Sequence, residues 1–213
     1  MMFVAILRVH GLDRRWVAWS TATWLSVYLF GAVALPLRYP AELRGEVVAT
    51  GLVVGLILPA VAVTRLLDEG PAFQVLTAAR PMLTSRLGWS SAVLVGQAAV
   101  AALVASGMST TPQLLVVADA LLLTAAAALS VALFGSSLAW LLPLLLVSVF
   151  TAPDVVPWSV NVLYRHTLAP LTFGVAAVLS VAAVATYAFT GSVGLWSRWR
   201  GTWKDTADPA QDS

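Results

Sequence analysis

The chain has 213 residues, of which 60% are hydrophobic and only 10% charged, with a formal net charge of +2 at pH 7. Soluble domains carry about 25% charged residues, so a mean hydropathy of +0.88 excludes an ordinary water-soluble globule and makes the bilayer the expected solvent. Cysteine is absent, which excludes disulfides, thiolate metal sites and a cysteine nucleophile.

The opening stretch, "MMFVAILRVHGLDRRW", has no basic region ahead of its short apolar run. Arg8, Arg14 and Arg15 follow that run, the reverse of a secretory leader. Met1, Phe3, Ile6, Leu7 and Val9 instead predict an N-terminal amphipathic helix lying on the cytoplasmic surface. Six apolar segments follow, at Trp16–Leu35, Val47–Leu67, Gly88–Ser106, Gln113–Phe134, Ser136–Thr151 and Leu168–Leu195. A hydrocarbon core about 30 Å thick takes roughly 20 helical residues. Unbroken apolar runs rather than alternation predict helices. The expected fold is therefore all-α, a polytopic membrane protein with six transmembrane helices. "FGSS" separates the fourth and fifth spans, which predicts a tight helical hairpin with Gly135 at its turn and the serines capping the next helix or packing in the turn. Pro59 is expected to kink the second span, and Pro143 to kink or tilt the short fifth. Gly51 and Gly55 form a GxxxG pair, which lets another helix approach closely, within the bundle or at a dimer seam.

Charge orients the chain. Arg8, Arg14, Arg15, Arg65, Arg80, Arg86, Arg198, Arg200 and Lys204 fall on one side of a six-span topology, and Arg38, Arg44 and Arg165 on the other. The positive-inside rule makes the first side, with both termini, cytoplasmic. The excess of basic residues is then a topology signal and an attraction to anionic lipid, not a nucleic-acid footprint. Trp16, Trp19, Trp89, Trp196, Trp199 and Trp203 fall near the cytoplasmic boundary, and Tyr39, Trp158 and Tyr164 near the outer one. Arginine outnumbers lysine eleven to one, a codon bias that points to a GC-rich bacterial genome and hence the bacterial cytoplasmic membrane.

No catalytic constellation is visible. The one lysine, Lys204, is not in a Walker A setting, so the chain carries no P-loop. His10 and His166 fall on opposite sides of the membrane and cannot share a metal, and neither HExxH nor G-x-S-x-G occurs. No cofactor is expected. Asp119, in "LLVVADALLL", is the one carboxylate inside a span, roughly 9 Å from its outer end at 1.5 Å per residue. It marks an intramembrane polar site, or lies at the interface, or accepts hydrogen bonds from another helix. Gln97, at depth in the third span, is expected to hydrogen-bond across helices.

The segment "RLLDEGPAFQVLTAARPMLTSRL", residues 65–87, is the most polar interior stretch. Gly70 and Pro71 predict a helix start, Asp68 and Glu69 complement the positive end of its dipole, and Pro81 stops it after Arg80. The result is a short cytoplasmic helix between spans two and three. This order of parts resembles the ABC-2 type permeases, the membrane subunits of ABC exporters. In that family the corresponding loop runs as an acid, then G-T-L-E-x-L, then a proline. Glu69, Leu76 and Pro81 match it, whereas Pro71, Ala72, Phe73 and Gln74 depart from the G-T-L-E part. The stretch "PDVVPWSVNVLYRHTLAPLTF" is similar to the family's region before the sixth span, with Trp158 and Pro170 in place.

The resemblance implies a coupling helix gripped by a separate ATP-binding subunit, with Phe73, Leu76 and Arg80 as contacts and Asp68 and Glu69 as polar partners. It also implies a second permease copy or homologous subunit, and export of a hydrophobic or amphipathic substrate. Residues 1–203 are expected to form one permease-like domain and 204–213 a short disordered cytoplasmic tail. An accessory or immunity membrane protein without an ATPase, and an ion-coupled carrier using Asp119, remain as alternatives.

Overall fold

In the computed structural model, residues 14–31, 33, 47–68, 82–108, 111–152 and 155–193 are described. The amphipathic helix expected before Arg14, the coupling segment from Glu69 to Pro81 and the tail all lie outside these residues. Every regular element among the described residues is helical, and the only extended pairing is an isolated antiparallel bridge between Val47 and Arg165.

Helix α1 spans Arg14–Phe30; α2 (Thr50–Gly55), α3 (Ile57–Val63) and a 3-10 turn at Thr64–Leu67 form one interrupted rod. Helix α4 spans Met82–Ser106, α5 Gln113–Phe134, α6 Leu141–Thr151 and α7 Ala169–Thr190, with 3-10 turns at Ser136–Leu138, Trp158–Val160, His166–Leu168 and Gly191–Val193. Four of these segments are long and apolar enough to cross a membrane: Thr50–Leu67, Leu83–Ser106, Gln113–Phe134 and His166–Thr190. The first and fifth expected spans are helical and apolar too, but shorter, at 17 residues for α1 and 11 for α6. Helix α4 begins at Met82, six residues before the expected start of the third span at Gly88, because "MLTSRL" has no helix breaker after Pro81.

The bundle is built around α5. Of its apolar window 78% is buried, against 28% for Leu83–Ser106 and 22% for His166–Thr190. Its alanines, Ala118, Ala120, Ala125, Ala126, Ala127 and Ala128, are all buried. The facing stripe of α7 is also small, with Ala169, Thr172, Ala176 and Ala183 spaced three, four and seven apart. Small side chains on both helices let the backbones approach closely, the packing mode that holds helices together in lipid. Helix α4 turns one stripe inward, Arg86, Ser90, Leu94, Gln97, Ala101 and Ala105, at the spacing of one helical face. Outside, Leu103, Val178 and Val181 are each more than 70% exposed. So wide an apolar exterior suits lipid rather than water.

Helix polarity defines two ends. The proximal end holds the start of α1, the Thr64–Leu67 turn, and the finish of α5 and α7. The distal end holds the finish of α1, the α4–α5 connection, and residues 155–168. Gly135 closes α5 at φ 96°, with its N–H on the Val131 carbonyl, a conformation that favours glycine. The hairpin expectation thus holds, but Ser136 and Ser137 are exposed and make no capping bond. Instead the buried Ser130 hydroxyl donates to the Leu138 carbonyl. The helical rod breaks at Leu56, one residue after Gly55, the position whose carbonyl Pro59 leaves without its helical donor. Pro143 does not kink α6. It is the third residue of that helix, where no N–H has an intrahelical partner to lose.

The GxxxG pair packs within the bundle. A Cβ on Gly51 would lie 2.5 Å from the Phe30 carbonyl oxygen and 2.7 Å from that of Val33. At Gly55 the nearest atom is Val27 Cγ2, at 3.6 Å. The pair therefore faces the end of α1, and Gly51 N–H donates to the Val33 carbonyl across 2.9 Å.

Candidate functional site

Asp119 is buried on α5, the most enclosed helix, toward its distal end. Helix α5 starts at Gln113, so the carboxyl is about 9 Å, or six residues, inside the helix. Its residue is 0% exposed, and neither carboxyl oxygen has a hydrogen-bond partner. The interhelical hydrogen bond expected as one alternative is not found. A buried polar group with no protein partner costs about 1–3 kcal/mol.

The distal connection forms the roof over this residue. Tyr164 is fully buried, its hydroxyl 2.7 Å from Thr151 Oγ1, and its ring is met edge-on by Trp158 at 6.1 Å. Asn161 Nδ2 donates to the Phe150 carbonyl at 2.9 Å, while its Oδ1 is buried with no partner. Thr172 Oγ1 donates to the Val162 carbonyl at 2.7 Å, and Val48 N–H to the Tyr164 carbonyl at 2.9 Å. Burial pushes the Tyr164 phenol above its ordinary value; the bond with Thr151 acts in the opposite direction, and the nearby Asp119 carboxylate adds to the rise. Tyr164, expected near the outer boundary, has its hydroxyl paired with Thr151 at the end of α6.

Gln97 lies deeper. It is 5% exposed and its Nε2 has no partner, so it does not make the expected bond across helices. Thr124 of α5 also has an unpartnered, buried hydroxyl. Counted from the α4–α5 connection, the two residues sit at a similar depth, roughly 14–17 Å along their helices. Trp24, 5% exposed, has an unpartnered indole N–H and lies, like Asp119, six residues inside the distal end of its helix.

The proximal end is organised differently. Trp16 of α1 donates to the Ala62 carbonyl (3.2 Å), Trp89 of α4 to that of Leu66, and Tyr187 of α7 to that of Leu67 (2.6 Å). Three helices thereby supply donors at the C-terminal end of the rod, where the last carbonyls lack helical partners. Trp16 and Trp89, expected near the cytoplasmic boundary, direct their N–H groups to backbone carbonyls. Of the expected coupling residues, Asp68 is the described one. It is exposed and extended, and follows this clamped turn directly. Glu69, Phe73, Leu76 and Arg80 lie outside the described residues.

Hydropathy could not find the aromatic clamp or the Asn161–Tyr164–Thr151 roof, since both depend on contacts between distant segments. Among the described residues no group of histidine, aspartate or glutamate side chains could hold a metal. No family model matches the chain, and no curated protein or solved structure matches it.

Proposed function

We propose that the chain is the membrane-spanning subunit of an ATP-driven exporter, coupling a separate ATPase to movement of a hydrophobic or amphipathic substrate. The observation that carries this reading is the aromatic clamp at residues 62–67. Trp16, Trp89 and Tyr187 tie the chain entering segment 69–81 to α1, α4 and α7. A push or pull on that segment would reach three helices at once, which is what a coupling element requires. The absence of a P-loop lysine is consistent with ATP hydrolysis by a partner. Two copies, or one copy and a homologue, would complete the path in the cytoplasmic membrane, with six spans and both termini inside.

The test is co-purification from native membranes. A stand-alone ATP-binding subunit is expected to be retained by the wild type and lost from the Phe73→Glu/Arg80→Glu variant, with loss of efflux. An ATPase that is never retained, together with intact function in that variant, would remove this reading.

A second reading, an ion-coupled carrier, is favoured by one specific observation: the carboxyl of Asp119 is sealed in the bundle without a partner. Such a residue commonly marks an ion or proton pathway. In that case vesicles without an ATPase should show gradient-driven flux that Asp119→Asn abolishes; an unchanged flux would exclude it.

A further inference from the structure

The carboxyl of Asp119 is enclosed more tightly than a ligand pocket. The residue has no exposed surface, and both oxygens lie out of the reach of water with no hydrogen-bond partner. A carboxylate left charged in such a place is a buried unpaired charge, far costlier than a neutral polar group. The elements packed against α5 bring Arg65, Arg86 and Tyr187 at the proximal end and Tyr164, Arg165 and His166 in the distal roof, while α3 and α6 bring no titratable group. Helix α1 has Arg14 and Arg15 at its proximal start and an exposed Tyr28. None of these bonds to Asp119. The occupant that neutralises the group must therefore cancel one negative charge in almost no volume. A metal ion or an organic ammonium needs room for an atom against the oxygens. A proton does not: it adds to one oxygen and leaves a neutral carboxylic acid.

Depth and sealing give the side from which that proton comes. Asp119 is about 9 Å from the distal start of α5 at Gln113, and about 22 Å from its proximal end at Phe134. In the proximal half the buried hydroxyls of Thr64, Ser90, Ser130 and Tyr187 all donate to carbonyls. Over Asp119 the roof is not a continuous helix. Two side-chain bonds hold it to the end of α6, Tyr164 with Thr151 at 2.7 Å and Asn161 Nδ2 to the Phe150 carbonyl at 2.9 Å. Tyr164 links this roof to the carboxyl. Its ring packs in the buried cluster that holds Val116 and Ala120, the neighbours of Asp119 on α5, and the Asp119 carboxylate acts on its phenol electrostatically. The unpartnered Asn161 Oδ1 is a buried acceptor in the same roof, ready for a water once those bonds part.

We propose that Asp119 is a proton-binding site that exchanges with the distal side, the Tyr164–Thr151 bond being the latch over it. With the latch closed, one proton sits on the carboxyl and the layer carries no net charge. With it open, water reaches the carboxyl, takes the proton and leaves the carboxylate hydrated. The proposal names the ion and its side of entry for the carrier reading above, on which its biological meaning rests.

Infrared difference spectroscopy on the full chain in nanodiscs of neutral lipid tests it, through the carbonyl stretch of a protonated carboxyl. Wild type at pH 7 is expected to show such a band, and Asp119→Asn to lack it. On transfer to heavy water the band should shift slowly in wild type and roughly fivefold faster in Thr151→Val, which removes one hydrogen bond from the latch. Tyr164→Phe keeps the ring, removes the same bond and should quicken the shift likewise. Ser130→Ala, at the opposite end, should leave the rate unchanged. A spectrum in which Asp119→Asn loses no band, or a band abolished at fixed pH by sodium but not by choline, would overturn the proton as occupant. Exchange no faster in Thr151→Val and Tyr164→Phe than in wild type would overturn the distal latch. The readout needs no transport, so a proton found on Asp119 without gradient-driven flux would remove the carrier reading alone.

Discussion

Replacing Asp119 with alanine should stabilise the fold and, on the carrier reading, abolish gradient-driven flux. The carboxyl is fully buried and both oxygens lack partners, so its removal relieves about 1–3 kcal/mol of unmet desolvation. Alanine also favours a helix interior over aspartate by roughly 0.5 kcal/mol. Against these stands the loss of a few dispersion contacts, each about 0.1–0.2 kcal/mol, and a small void among the neighbouring alanines of α5. The balance is a gain of about 1–2 kcal/mol. Asp119→Asn is the control: it keeps the shape and still buries an unpartnered polar group, so its stability should lie within about 0.5 kcal/mol of wild type. Reversible unfolding in mixed micelles with rising dodecyl sulfate, followed by tryptophan fluorescence, measures both variants. Gradient-driven flux in vesicles measures the proposed carrier activity, which both should lose on that reading. A loss of stability in both variants would refute the reasoning, because it would mean that Asp119 holds the bundle together through a bond.

Tyr187→Phe deletes the donor to the Leu67 carbonyl and should cost about 0.5–2 kcal/mol; ATPase binding should persist while transport per ATP hydrolysed falls, as a coupled flux and hydrolysis assay would show. Gly51→Ala pushes a Cβ against two backbone oxygens at 2.5 and 2.7 Å and should cost about 1–3 kcal/mol. Gly55→Ala meets only ordinary contacts at 3.6 Å and should be neutral or gain up to about 1 kcal/mol; the same micelle titration distinguishes them, and neither should change the oligomeric state if the pair serves α1. Tyr164 has a raised phenol pKa, burial being the main cause. The folded state therefore holds its proton more tightly than the unfolded state, so its contribution is complete below the unfolded pKa of about 10 and is lost as pH rises above it. Unfolding titrations between pH 9 and 12 should show that decline, and Tyr164→Phe should lack it.

What could be read from the sequence followed from one-dimensional properties. Runs of apolar residues located the helices among the described residues to within about six residues, four of the six expected spans being long and apolar enough to cross a membrane, and Gly135 announced the hairpin turn because its backbone conformation suits glycine. Direction around each helix was not readable. The inward stripe of α4 holds Arg86, Ser90 and Gln97, while its exposed surface holds Val95 and Leu103, the opposite of an amphipathic helix in water. A bundle whose exterior is meant for hydrocarbon has no polar face to reveal which side is the core. For the same reason α5, at the centre, and α7, on the periphery, share almost the same hydropathy of 2.3 and 2.1. What separates them is burial, 78% of the apolar window on α5 against 22% on α7, which no residue-by-residue property reveals.

Residue size accounts for why Asp119, visible in the sequence as a lone carboxylate in a span, shows its complete burial only in three dimensions. In the sequence it sits six residues from a helix end, a position from which a longer side chain could reach the membrane surface. Aspartate is too short to do so, and the alanines beside it draw neighbouring helices against it until no oxygen is accessible. Glutamate at 119 would test this point. If the layer around Asp119 can open, the longer carboxyl should be accommodated there and stability should stay within about 0.5 kcal/mol of wild type. If the layer is only close-packed core, Asp119→Glu should lose about 1–3 kcal/mol to overpacking.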